Sequence, residues 1–154
     1  MSLFSGMFHL GHNQKGFLSL AEVYSVSNKT WSSIADLPRP SFGCSGAFFL
    51  GHFTVVGGDS GEGILTSVLQ WHEDENRWVE LAPIPKARAA CGVACNKDRM
   101  VVVGGFDGND DTDSVFVFEK GAWRTARRMP FRSSWCSAAW LDDDLVSQWY
   151  RNAL

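Results

Sequence analysis

The side chains that could carry chemistry in this sequence form four groups, and each depends on the backbone beneath it. His9 and His12, in His9-Leu10-Gly11-His12, would present a metal pair if they lay on a helix. Cys91 and Cys95 are four apart, a chelating distance on a helix. The run Gly57-Gly58-Asp59-Ser60-Gly61-Glu62-Gly63 has the glycine density of a phosphate-binding loop, but it lacks the Lys-Ser/Thr pair and a helix after it. Asp107, Asn109, Asp111 and Asp113 alternate as in a calcium loop, yet the sixth position, where glycine makes the sharp turn, is Thr112, and the twelfth, where a glutamate would chelate, is Phe118. The last two patterns therefore read as turns with solvated carboxylates. The first two are decided by the secondary structure.

An internal repeat supplies it. Trp31, Trp78 and Trp123 are separated by 47 and 45 residues, and the pairs Gly57-Gly58 and Gly104-Gly105 by 47. Counted from each Trp, the sixth and seventh residues are Leu37-Pro38, Ile84-Pro85 and Met129-Pro130, and the thirteenth is Cys44, Cys91 and Cys136. A late aromatic recurs as Tyr24, Trp71 and Phe118, and the first unit is the most degenerate, with Gly11-His12 in place of the glycine pair. A period of this length is that of a propeller blade. Gly43 to Leu50 and Ala90 to Asn96 read as inner strands, followed by Phe53 to Val56 and Met100 to Val103 as second strands closed by Gly-Gly. Leu65 to Trp71 and Ser114 to Phe118 read as third strands, with Arg77 to Leu81 and Ala122 to Thr125 as short outer ones. Each unit is thus a four-stranded antiparallel meander. The glycine pair allows positive φ or close backbone approach, the Trp fills the wide space between blades, and the Pro ends the ladder.

On this backbone the metal patterns dissolve. His9 and His12 fall at a strand end with their imidazoles on opposite faces. Cys91 and Cys95 stand about 13 Å apart on a strand, too far to share an ion. The recurrence at Cys44, Cys91 and Cys136 points to a small apolar side chain packing in the inner strand. No catalytic residue, metal or cofactor is expected.

The Gly-Gly after the second strand, the aromatic about fourteen residues on, the Trp beyond it and the Ile-Pro linker with Arg88 resemble the kelch-repeat β-propellers. The resemblance covers Met7 to Leu145, and Met129-Pro130-Phe131-Arg132-Ser133-Ser134-Trp135-Cys136 is similar to kelch portions of F-box proteins. It implies an all-β partial propeller read as one domain over 1–154: a partial blade over 7–40, repeats over 41–87 and 88–132, and the start of another over 133–154. In the last unit the pattern breaks at Ser147 to Leu154, where Trp149-Tyr150 replaces the glycine pair. Kelch rings close with roughly five to seven blades, so two complete ones imply either a piece of a longer protein or copies that associate to complete a ring. Some kelch-like propellers are copper oxidases built on a cross-linked Cys and Tyr with histidines; here the tyrosines are Tyr24 and Tyr150 alone. The resemblance implies instead a protein-binding module, of the kind that recruits substrates to ubiquitin ligases. A small-molecule or catalytic propeller and a cytoskeletal scaffold are the alternatives.

Antiparallel strands return the linker into strand one and the loop after strand two to one end of the blade. That sets Arg39, Arg88 and Arg132 beside Asp59, Glu62, Phe106, Asp107, Asn109 and Asp110, a face suited to a protein partner because arginine docks carboxylates through two bonds. The alternative for Arg88 is a structural tie to neighbouring carbonyls. Net charge of −3 and scattered Lys and Arg argue against nucleic acid and anionic membranes as partners. Unpaired cysteines and the lack of a basic, apolar leader lead to the expectation of a cytoplasmic or nuclear protein.

Overall fold

A computed structural model of the chain describes residues 6–9, 12–13 and 16–141. The stretch from Ser147 to Leu154, where the repeat pattern breaks, lies outside the described residues. Two complete meanders are present. One consists of β6 (Ser45–Phe49), β7 (His52–Val56), β8 (Val68–His72) and β9 (Arg77–Glu80); the other of β10 (Gly92–Cys95), β11 (Arg99–Val103), β12 (Val115–Glu119) and β13 (Ala122–Thr125). Each is a four-stranded sheet in sequential order with every pairing antiparallel. Before them β1 (Gly6–His9), β4 (Glu22–Ser25) and β5 (Thr30–Ser33) form a three-stranded sheet, and β2 (His12–Asn13) with β3 (Gly16–Phe17) forms a small hairpin. His9 and His12 thus belong to different strands, β1 and β2.

The repeat markers are cross-strand neighbours. Tyr24 pairs with Trp31, Trp71 with Trp78 and Phe118 with Trp123, so each late aromatic stands opposite the outer Trp of its own blade. The outer Trp also reaches backwards. The Trp78 indole donates to the Ala35 carbonyl at 2.7 Å and that of Trp123 to the Ala82 carbonyl at 2.8 Å, one repeat apart. The space between blades is therefore bridged by a hydrogen bond as well as filled.

Several strands are shorter than their sequence patterns predict, for reasons local to their first residues. Gly43 and Ala90 take φ of 63° and 52°, which lifts them out of the ladder so that the inner strands begin at Ser45 and Gly92. Leu65 donates its N–H to Gly58 O at 2.8 Å, which keeps it in the loop and delays β8 to Val68.

The core lies between the two complete blades. Phe49, Val56 and Val68 of one meet Val93, Met100, Val102, Phe116 and Phe118 of the other, with Ile84 and Cys91 between them. The Phe49 and Phe118 rings meet edge to face at 6.0 Å. The Ser45 hydroxyl donates to the Cys91 carbonyl, stitching inner strand to inner strand.

Each glycine pair has a specific task. Gly58 donates its N–H to Arg88 O and Gly105 to Ser133 O, both at 2.8 Å, which fastens the end of strand two to the linker entering the next blade. Gly57 and Gly104, at φ 63° and 61°, leave room for that same carbonyl. The clasp explains why the pair recurs with the blade period.

Candidate functional site

The linkers and the loops after strand two do come to one end of the blades. Phe42 bridges Asp59, and Ala89 bridges Phe106; each loop then folds back on itself through Asp59–Ile64 and Phe106–Asp111. The His12–Phe17 pairing of the β2–β3 hairpin is in the same register, so three short hairpins stand side by side. The turns of the Asp59–Ile64 and Phe106–Asp111 hairpins are held by side-chain caps. Asp59 Oδ1 accepts the Gly61 N–H at 2.9 Å, and Asp107 Oδ1 accepts those of Asn109 and Asp110 at 3.0 Å. Those two bonds, chiefly that from Asp110, hold the Asp107 carboxyl below its ordinary range. The glycine-rich run and the alternating acids are thus turns, and among the described residues no three His, Cys, Asp or Glu side chains are placed to hold a metal ion.

Residues named from the sequence separate into distinct environments. Arg88 is not a surface group: it is 1% exposed, and this corrects its assignment to the binding face. Its Nη1 donates to Ala87 O at 2.6 Å and its Nη2 to Ser114 Oγ at 2.5 Å, while the guanidinium stands 5.4 Å from the centroid of the Phe116 ring. Burial lowers the Arg88 pKa from its usual value, and the Asp107 charge pushes it partly back. Arg132 lies on the surface, 3.7 Å from Asp110, and Arg39 and Glu62 are also exposed. Arg88, Arg132, Asp107 and Asp110 line one small charged cavity of about 160 Å³, together with Lys86, Asp111, Asp113 and Arg128. In it Arg128 pairs with Asp113 at 2.8 Å. Asn109 sits at the exposed tip of the same loop.

Asp59 and Phe106 line a second cavity, of about 290 Å³, which is mostly apolar. Its other walls are Phe42, Gly43, Ile64, Ala89, Ala90, Asp111, Ser134 and Trp135. Sequence reasoning missed Phe42, Ile64, Asp111 and Trp135 as site residues. The signal for Trp135 was available in the register: it precedes Cys136 as Gly43 precedes Cys44 and Ala90 precedes Cys91, a tryptophan in a position otherwise filled by small residues.

The three equivalent cysteines lie on the inner side and line a further cavity of about 260 Å³. Removal from water pushes the Cys44 thiol from 9.0 up to about 12 and Cys95 up to about 11. The same cause raises Cys91, opposed by its bond to Ser45. Thiols held protonated are poor nucleophiles. At pH 8 Cys44, Cys91 and Cys95 are expected to stay silent towards a thiol reagent such as Ellman's in the native protein and to react on unfolding. Because the unfolded thiols ionise near 9.0 and the folded ones higher, the unfolded state binds fewer protons in between, and stability falls from about pH 9 towards 12. A urea midpoint that holds constant from pH 8 to 10.5 would contradict this.

Twisted four-stranded meanders, joined outer strand to inner strand and packed face to face, define the β-propeller class. The solved structure of YjhT superposes with a TM-score of 0.68 over 84% of this chain and 49% of that one, at 16% identity. A family model for the kelch motif matches residues 87–130. An F-box/kelch-repeat protein of Arabidopsis thaliana is 38% identical over 76 aligned residues, covering 43% of this chain and 20% of that protein. The second complete blade thus matches the kelch motif, and part of the chain is similar to a kelch-repeat protein. The chain spans about a fifth of the length of the curated relative and about half that of the solved structure.

Proposed function

We propose that the chain is a non-enzymatic protein-binding module that engages its partner through the loop face, and that it recruits substrates for a ubiquitin ligase. The observation that carries the reading is the row of hairpins, two of them capped, which presents exposed charges and two cavities above the sheets. Rigid loops lose little conformational freedom on binding, which favours affinity. The ligase step rests on similarity to an F-box/kelch-repeat protein.

The burial of Arg88 determines how the face should be tested. Charge reversal there would unfold the blade, whereas Arg39 and Arg132 are exposed and can be reversed together. The Arg39→Glu/Arg132→Glu variant is expected to keep its unfolding midpoint and to lose, by ten-fold or about that, the proteins captured by the parent chain from cell extract. Equal capture by a folded double variant would remove the loop face from the function.

A further inference from the structure

The geometry points to a more specific role for the apolar cavity: it receives a cationic side chain, arginine or lysine, of the protein partner. This rests on the loop-face reading above.

Trp135 carries the first part of the argument. Gly43, Ala90 and Trp135 occupy one position of the repeat, and all three are left-handed, at φ 63°, 52° and 52°. Glycine takes that conformation freely; a side chain with a β-carbon costs about 1–2 kcal/mol. Burial does not offset the cost at Trp135, which is 72% exposed. Its ring meets Phe42 edge-on at 5.8 Å and brings one ring carbon close to Gly43, so the indole lines the cavity while most of it stays open to solvent. Strain held at an exposed aromatic, without a packing return, marks a binding element.

The charge of the walls selects the ligand. Asp59 and Asp111 line the cavity, and no lysine or arginine does. Among the described residues neither carboxylate forms an ion pair. Asp111 also borders the charged cavity next door, where Arg128 and Arg132 lie beside Asp113 and Asp110. A volume of about 290 Å³ is at the lower limit for a small-molecule pocket and suits one long side chain. Aromatic rings favour a cation over their faces, a methylene stem suits Ile64 and Phe106, and the two carboxylates favour the charged head.

The test uses the 154-residue chain and a synthetic peptide, acetyl-Gly-Ser-Arg-Ser-Gly-amide, with twins carrying lysine, citrulline or norleucine in place of arginine. Binding is followed by isothermal titration calorimetry for every variant and, where Trp135 is present, by its indole N–H resonance, assigned through Trp135→Phe. The arginine or lysine peptide should shift that signal saturably, with the citrulline and norleucine twins at least about five-fold weaker. Asp111→Asn should weaken the cationic peptide by a similar factor. Trp135→Gly should abolish binding while leaving the urea midpoint unchanged or higher, since it relieves the left-handed strain. Norleucine binding as tightly as arginine, or no saturable shift with either cation, overturns the inference. If Trp135→Gly captures partners normally while Arg39→Glu/Arg132→Glu does not, the loop-face reading stands and the cation site falls. If both capture normally, both fall.

Discussion

Gly57→Ala is expected to destabilise the chain by about 3–5 kcal/mol, one of the largest effects of any single methyl group added to it. Three penalties coincide at Gly57. Its φ of 63° costs an alanine about 1 kcal/mol or somewhat more. Its new methyl would drive into the Arg88 carbonyl oxygen, which is backbone and cannot rotate away. Moving that carbonyl would break the bond it accepts from Gly58, the clasp that joins one blade to the next. Gly104→Ala should behave alike, because its methyl would meet Ser133 O at 2.5 Å, the acceptor of the Gly105 N–H. The informative control is Gly51→Ala. Gly51 also has positive φ, at 87°, but nothing lies within 4 Å of where its methyl would be. Only the conformational cost applies, so about 1 kcal/mol should be lost there. For a chain of this size the expected difference is a fall in Tm of roughly 10 °C for Gly57→Ala against a few degrees for Gly51→Ala. Equal midpoints for the two variants would show that the clasp contributes nothing.

The same clasp shows what the sequence made legible. A 47-residue spacing between Gly57 and Gly104, in step with the tryptophans, is enough to identify blades and to place every strand of the two complete ones within a few residues. Periodic signals carry this because each blade must meet an equivalent neighbour, so the positions that join blades recur. The site depends on departures from the period. Trp135 breaks a pattern of small residues, and its meaning appears only once φ and exposure are known. Phe42 and Phe106 come from different blades and share a cavity only because the linker and loop pair across strand ends. Arg88 was legible as a marker and ambiguous in role, since an arginine in a linker serves equally as a ligand group or a buried tie. Whether its head turns outward or in over Phe116 is a property of packing that residue order does not encode.

That inward turn leads to the second large effect. Arg88→Ala is expected to cost about 3–4 kcal/mol, by losing two charge-assisted hydrogen bonds, the stacking on Phe116 and the volume of a fully buried stem. The result depends on what replaces the arginine, and this separates packing from charge. Methionine keeps much of the stem and removes a buried charge whose Nε has no partner, so desolvation no longer opposes folding. Ser114 Oγ retains Thr112 Oγ1 at 3.2 Å as an alternative neighbour. Arg88→Met should therefore lose only about 1–2 kcal/mol. Arg88→Glu would bury a carboxylate against the Ala87 carbonyl oxygen and near Asp107, acceptor against acceptor, and should not fold. Arg132→Ala, at a surface pair 3.7 Å apart, should stay within about 0.5 kcal/mol of the parent. Urea unfolding of the four variants gives the order directly. If Arg88→Ala proved as mild as Arg132→Ala, the guanidinium would have to face solvent, and Arg88 would return to the binding face from which its burial removes it.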